Sequence, residues 1–164
     1  MSHRSLSSYD YVNRPYHIVR DALLVDPLRV FQRATAAARE AARLHVQLGS
    51  LDLGVDVSIH LIDIVSDDKT TKLKLIWSAT TSAGLFPAME ATLAIYALTS
   101  TETQLELDGR YIPPLGALGT VIDAAVGHRI AQASVTRFIT EVAGWLRSEL
   151  GPAVLVPAAR AGIA

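Results

Sequence analysis

The histidine at position 128 is the side chain whose type and position could best do chemistry. Counting back from Val135 and Ala131 by helical intervals places His128 on the same face of a predicted helix as these apolar residues. An imidazole there could serve as an acid or base, or could donate a hydrogen bond to the carbonyl group of a bound molecule. The alternative is a half-solvated histidine near the start of a helix, and a single histidine with no partner in the sequence favours that alternative.

Three large side chains on predicted strands could line a binding site for an apolar molecule. Trp77, Met89 and Tyr111 all belong to the apolar face of alternating segments. Aromatic rings and a thioether suit a cavity wall because they are large and adaptable, but they suit a filled core equally well. The Tyr111 hydroxyl would need a hydrogen-bond partner if buried. Tyr111 and His128 are the candidates for catalytic roles, which the sequence leaves unassigned.

Asp63 breaks the alternation of its segment, because it falls in register with Ile59 and Leu61 on the apolar face. A carboxylate that points into the core is strongly unfavourable unless it is paired. We therefore expect the strand to end at this point, beside the polar residues 66–68.

Other polar residues lack the context that known catalytic or metal sites require. The chain has no cysteine, and its five histidines have no spacing typical of a metal site. Ser134 is not part of the Gly-x-Ser-x-Gly turn of a hydrolase, and Gly116 and Gly119 lack the lysine of a phosphate-binding loop. His60 alternates with inward residues and should face solvent. We expect neither a metal nor a cofactor.

The segments before the sheet predict a strand followed by a helix. Residues 16–25 are rich in β-branched and apolar side chains and predict a strand, whereas the polar residues 1–14 predict no regular structure. Asp26 followed by Pro27 is typical of a helix start, because the carboxylate accepts from free amides and the proline needs no donor there. The helix should run to about Arg43.

Four alternating segments between Leu44 and Tyr111 predict an antiparallel sheet with one apolar and one polar face. The apolar members are Val55, Val57, Ile59 and Leu61; Leu73, Leu75 and Trp77; Met89, Ala91, Leu93, Ile95 and Ala97; and Leu105, Leu107 and Tyr111. Hairpin loops are expected at residues 50–54, 66–71, 82–84 and 99–103. The whole sheet should have roughly five to seven strands.

A long helix should follow the last strand. Pro113 and Pro114 end that strand, because neither can donate to a ladder. From about Ala117 to Leu150 the apolar residues recur with a helical period. They form a stripe of Ala131, Val135, Phe138, Ile139, Val142 and Leu146, with Arg137, Glu141 and Ser148 on the opposite side. The stripe should pack on the sheet, and residues 151–164 should form an irregular tail.

The bulk composition favours a single globular domain without a nucleic-acid or membrane partner. The chain has 164 residues, of which 50% are apolar and 19% charged, and its formal net charge is −1. No basic block indicates nucleic-acid binding, and no apolar run approaches the length of a membrane span or a signal segment. We expect a cytoplasmic protein, and the sequence leaves open whether it forms a homodimer.

Two stretches, LFPAMEATLAIYAL (85–98) and LELDGRYIPPLGALGTVIDAAVGHRIAQASVTRFI (105–139), resemble uncharacterised bacterial members of the START-like SRPBCC superfamily. That superfamily includes pollen allergens, lipid-transfer domains, polyketide cyclases and coenzyme-Q-binding proteins. The resemblance covers roughly residues 16–150 and implies the α+β helix-grip fold, a curved antiparallel sheet wrapped around a long C-terminal helix. We expect a single domain of this kind over residues 1–150. The usual second short helix is not evident, although residues 36–43 could hold it. The family implies a cavity between sheet and helix, but not one reaction.

These observations favour the binding of a small hydrophobic or amphipathic molecule, such as a lipid, isoprenoid or polyketide. The ligand would lie between the sheet and the C-terminal helix, against Trp77, Met89, Tyr111, His128 and Ala131. Alanines on the facing walls would leave room there, or would allow closer packing. Two alternatives stay open: a cyclase or aromatase-type enzyme acting on a polyketide in the same cavity, and an interaction module with a filled core.

Overall fold

The structure is a computed structural model that describes residues 3–47, 57–79, 88–112 and 124–151. Within these residues the elements follow in the order β1 (Arg4–Val12), α1 (Tyr16–Val25), α2 (Pro27–Gln47), β2 (Val57–Ser66), β3 (Thr70–Ala79), β4 (Met89–Ala97), β5 (Thr103–Tyr111) and α3 (Ala124–Leu150). None of these helices is long and apolar enough to cross a membrane.

The described strands form one five-stranded sheet in the order β1-β5-β4-β3-β2, and each neighbouring pair is antiparallel. The predicted antiparallel sheet is thereby confirmed. Its inner face carries the apolar residues of β3, β4 and β5, and the fully buried ones include Leu73, Leu93, Ile95, Leu105 and Leu107. Val55, predicted to belong to the first alternation, lies outside the described residues. Turns after β2 and β4 confirm the hairpin loops predicted at 66–71 and 99–103. The loops expected at 50–54 and 82–84 lie outside the described residues.

The N-terminal segment forms the edge strand β1, so the expectation of no regular structure over residues 1–14 is wrong. β1 pairs with β5 from Arg4 opposite Tyr111 to Val12 opposite Thr103. Leu6, Ser8 and Val12 are its buried residues. The alternation is hidden in the sequence because one inward position is a serine, whose hydroxyl is paired with Thr136 on α3 at 3.2 Å.

Residues 16–25 form the helix α1, and the prediction of a strand there is wrong. Tyr16, Val19 and Leu23 are buried at helical spacing, while Ile18 and Val25 are exposed. The β-branched residues suggested a strand, but packing of one helical face on the core outweighs that modest preference. The Tyr16 hydroxyl lies 2.7 Å from the Thr71 hydroxyl and ties α1 to the start of β3.

The predicted helix start at Asp26-Pro27 is confirmed. The Asp26 carboxylate accepts a hydrogen bond of 3.1 Å from the backbone amide of Arg29, as an N-cap residue does. α2 then continues to Gln47, past the expected end at Arg43. Residues 36–43 are therefore part of α2, and the second helix that they were considered for lies instead at α1.

Asp63 faces outward, although its strand continues to Ser66. The register of β2 against β3 shifts between Leu61 and Asp63, which identifies a β-bulge. The extra residue turns Asp63 to the polar face, where its carboxylate lies 3.7 Å from the Lys74 ammonium group. The expected strand end is wrong, and no carboxylate enters the core at this position.

The long C-terminal helix is confirmed from Ala124 onward, while the predicted start at Ala117 and the Pro113-Pro114 turn lie outside the described residues. The stripe packs as predicted: Val135, Phe138, Ile139, Val142 and Leu146 are buried, and Ala131 is half-buried against the core. Arg137 lies on the exposed side and pairs with Glu141 at 2.6 Å. Gly151, with a φ of 64°, ends the helix. The tail predicted beyond it stays a prediction.

Candidate functional site

Three of the predicted ligand-binding residues lie side by side at one end of the inner face. Trp77 on β3 pairs in register with Met89 on β4, and Met89 pairs with Tyr111 on β5. We call Trp77, Met89 and Tyr111 the end row. Arg4 on β1 is the register partner of Tyr111 and continues the row to the sheet edge. The strand alternation placed the three residues on one face, and the hairpin registers bring them into one line.

The core is less tightly closed at the end row than in its middle. Two rows further along the strands, Leu73, Leu93 and Leu107 are 0% exposed. In the end row, Trp77 and Met89 are 8% and 7% exposed, and Tyr111 is half-buried. Solvent access therefore increases toward this end of the sheet.

The facing helix shows the same change in burial along its axis. His128 and Ala131, near the start of α3, are half-buried, whereas Val135 and Phe138 further along are buried. Both walls of the space between sheet and helix thus become accessible at the same end. The sequence predicted which face of α3 packs inward, and the direction in which the core opens is visible only in the structure.

Tyr111 and His128 lie next to each other at this accessible end. The Tyr111 hydroxyl is 3.3 Å from Nδ1 of His128, and the two rings are nearly parallel, at 14°, with centroids 6.5 Å apart. The phenol donates when the imidazole carries its proton on Nε2, and accepts when Nδ1 is protonated. A spacing longer than the usual 2.7–2.8 Å or so for a hydroxyl donor indicates a loose contact. His128 therefore has a side-chain partner that the sequence did not reveal.

Trp77 contacts the helix on the other side of the end row. Its ring lies 5.1 Å from the ring of Phe138, which in turn lies 5.8 Å from the ring of Phe31 on α2. These three rings join the sheet, α3 and α2. At this place the space between sheet and helix is filled by the protein's own side chains.

Gly109 is a feature of the site that the sequence reasoning missed. It lies on the inner face of β5, one row in from Tyr111 and opposite Ala91. A Cβ atom at this position would be 2.6 Å from the sulfur of Met89 and 3.2 Å from its Cγ. The Met89 side chain therefore lies across Gly109, in the volume that a larger residue would occupy. A glycine in the interior of a strand is the sequence signal that could have revealed this close approach.

The remaining polar candidates are not drawn into the site. His60 is exposed as predicted, with Nε2 3.1 Å from the Ser58 hydroxyl. Across the described ranges, no group of three or more histidine, aspartate and glutamate side chains is arranged to hold a metal ion. Among the described residues, Tyr111, His128 and Arg4 are polar side chains that lie in or beside the end row.

Comparison with solved structures identifies the fold. The Zhui aromatase/cyclase from Streptomyces sp. R1128 superposes with a TM-score of 0.53 at 10% identity, over 92% of this chain and 97% of that one. A conserved protein from Geobacillus kaustophilus superposes with a TM-score of 0.51 at 14% identity, over 89% and 97% of the two chains. No family model and no curated protein matches the sequence. At these identities the likeness concerns the fold alone, and the chain has the α+β helix-grip fold that its START-like resemblance predicted.

Proposed function

We propose that the protein binds a small hydrophobic or amphipathic molecule, such as a lipid, isoprenoid or polyketide, between the inner face of the sheet and α3. One observation carries this proposal: the side chains of the sheet and those of α3 both become more exposed at the end row, beside Tyr111 and His128. An apolar space with a few polar groups at one end is the usual form of a small-molecule site.

The apolar part of the ligand would contact Trp77, Met89 and Ala131. Met89 is the side chain best able to make room, because a thioether chain is flexible and this one lies over the bare backbone of Gly109. A shift of Met89 would open the volume between Gly109 and Ala91 without displacing a strand.

The polar part of the ligand would contact Tyr111 and His128. Their hydroxyl and imidazole are only loosely paired at 3.3 Å, so either group can exchange its partner for a carbonyl or hydroxyl of the ligand. Such an exchange would leave no polar group unsatisfied when the ligand departs, because the pair then forms again.

A second candidate function is catalysis of the cyclase or aromatase type, with a polyketide as substrate. The Tyr111–His128 pair favours it, because an imidazole in contact with a phenol can move a proton to or from a molecule held beside them. The Zhui protein is described as an aromatase/cyclase, and at 10% identity its likeness supports only the shared fold. The two functions differ in outcome: a binding protein releases its ligand unchanged, whereas an enzyme changes the ligand's mass or its ring structure.

Fluorescence titration with an apolar dye tests the proposed site. A Trp145→Phe background leaves Trp77 as the remaining tryptophan, since the chain has two. Binding of the dye should change the Trp77 emission. Ala131→Phe should reduce the free energy of dye binding more than it reduces the free energy of unfolding. Thr140→Phe, at an exposed position on the same helix, is the matched control and should bind the dye as the parent does. Binding that survives Ala131→Phe unchanged would favour the filled-core interaction module, which the contact between Trp77 and Phe138 also supports.

A further inference from the structure

Two exposed tyrosines and one half-buried tyrosine lie together on the outer face of the sheet, opposite the proposed cavity. Tyr9 and Tyr11 on β1 are 59% and 39% exposed, and their rings meet edge to face at 5.6 Å. Tyr96 on β4 lies in the same row as Tyr11, with Gln104 of β5 between them. Two strand spacings separate the last two tyrosines, or about 10 Å. We call Tyr9, Tyr11 and Tyr96 the tyrosine surface.

Carboxylates give the tyrosine surface a negative environment. Glu106 is the register partner of Tyr9 and accepts a hydrogen bond of 2.7 Å from the Tyr96 hydroxyl. That hydrogen bond is the main reason why the pKa of Tyr96 is raised to about 12, with smaller contributions from burial and from Asp108. Burial, Tyr9 and Glu102 also raise the pKa of Tyr11. The raised pKa values keep the phenols of Tyr11 and Tyr96 neutral at physiological pH, and the charge beside them comes from the carboxylates.

The basic residues of the outer face lie on β3 and at the far end of β5. Lys72 and Lys74 are on β3, and Lys74 is close to Asp63 of β2. Lys72 shares the row of Glu106 at a distance of two strands. Arg110 lies at the far end of β5, opposite Glu90. At the sheet edge, Arg147 of α3 pairs with Asp10 at 2.6 Å and donates to the Tyr11 carbonyl.

On β5, between the tyrosines of β1 and β4, the charged groups of the outer face are the carboxylates of Glu106 and Asp108, so a cation placed on the Tyr9 ring has a carboxylate beside it. Clustered exposed aromatic side chains of this kind are a feature of interaction sites, whereas single ones need no explanation.

We propose that the tyrosine surface docks a basic, arginine-bearing segment of a partner polypeptide. A guanidinium group can lie flat on a tyrosine ring and donate hydrogen bonds to a neighbouring carboxylate at the same time, which an ammonium group does less well. The protein already uses this contact internally, since the guanidinium carbon of Arg20 lies 5.6 Å from the centre of the Tyr16 ring. The surface is on the opposite side of the sheet from the end row, so this docking does not depend on the proposed ligand function.

Fluorescence anisotropy of a labelled oligo-arginine peptide, titrated at low salt with the intact protein, tests the proposal. We expect saturable binding that weakens about two- to fivefold with Tyr9→Leu and again with Tyr11→Leu, which keep an apolar side chain but remove the ring. Glu106→Gln should weaken binding too, while keeping an acceptor for the Tyr96 hydroxyl. An oligo-lysine peptide of equal length should bind less tightly.

Glu90→Gln is the matched control, because it makes the same change of charge on the same outer face beside Arg110. It should leave the affinity unchanged. Any one of three results would overturn the proposal. The oligo-arginine peptide could show no saturable binding, Glu90→Gln and Glu106→Gln could weaken its binding equally, or both tyrosine variants could bind it as the parent does. Equal weakening would indicate attraction by net charge alone.

Discussion

Adding a single methyl group at Gly109 should destabilise the protein by crowding Met89. The Cβ of Gly109→Ala would be 2.6 Å from the Met89 sulfur, closer than carbon and sulfur atoms pack, so the flexible Met89 side chain must leave its position over Gly109 and repack in the end row. Overpacking a core costs about 1–3 kcal/mol. Among the described residues the glycine with positive φ is Gly151, so the Gly109 backbone accepts alanine. Alanine also has fewer conformations than glycine in the unfolded chain, and this offsets about 0.4–1 kcal/mol of the lost stability. We expect a net loss of about 1 kcal/mol in the free energy of unfolding.

The sign of the effect should reverse when Met89 is shortened. Met89→Ala alone should cost about 2 kcal/mol or more, because it leaves a void beside Gly109. Adding Gly109→Ala to that variant should stabilise it by about 0.4–1 kcal/mol, since the clash is gone and only the effect on the unfolded chain remains. Urea unfolding followed by circular dichroism measures all four chains, with an unchanged slope as evidence that the unfolded states are comparable.

Gly144→Ala is the control for the glycine substitution itself. A Cβ at Gly144 meets no other atom within 4 Å in the interior of α3, so the change should stabilise by about 0.5–1 kcal/mol. If Gly109→Ala destabilises equally with and without Met89, the strain lies in the backbone, and the placement of Met89 over Gly109 is refuted. A stabilising Gly109→Ala in the parent chain would refute it as well.

Two further predictions concern the helix stripe and the outer face. Phe138→Ala should lower the free energy of unfolding by about 3 kcal/mol or more, because it removes a fully buried ring of α3 that contacts Trp77. Arg137→Ala, on the exposed side of α3, should change it by no more than about 0.5 kcal/mol. Equal shifts of the urea midpoint in the two variants would show that the stripe is misplaced. The Tyr96 phenol should titrate near pH 12, which can be measured from the absorbance of the phenolate. Because its folded pKa is raised, the stability due to its bond with Glu106 is complete below about pH 10 and lost as the pH rises toward 12. Tyr96→Phe should lose less stability over this range than the parent, and an equal loss would argue against the bond.

The elements with clear periodicity were predictable from the sequence. β3 to β5 and α3 each have enough apolar residues at the spacing of two or of about four to determine both the element and its buried face, and β2 has them as far as Leu61. The same pattern placed Trp77, Met89 and Tyr111 on one face before their register was known. Packing on a core reinforces these local patterns, so sequence and structure agree there.

The errors have separate physical causes. β1 was missed because its inward positions include Ser8, a polar residue whose hydroxyl donates to the Thr136 hydroxyl on α3. α1 was taken for a strand because β-branched residues favour strands slightly, whereas burial of one helical face contributes more. The bulge adds one residue to β2, so the inward positions change from Ile59 and Leu61 before it to Ile64 after it, and Asp63 falls on the outer face. The sequence prediction continued the first phase of the alternation and therefore placed Asp63 inward.

The site depended on contacts between distant parts of the chain. The Tyr111–His128 pair joins the end of β5 to the second turn of α3, so no spacing rule within one element could reveal it. The close approach of Met89 to Gly109 likewise requires the register of β4 against β5. Residue type identified the candidates, and only the assembled sheet and helix determine which of them meet.

Native mass spectrometry of the protein purified from its own host tests the central claim most directly. If the space at the end row holds a ligand, the protein should carry a small molecule that is lost on denaturation, and Ala131→Phe prepared in the same way should carry less of it. Thr140→Phe should carry as much as the parent. A bare chain in all three preparations, together with no binding of added apolar dye, would contradict the proposed ligand function.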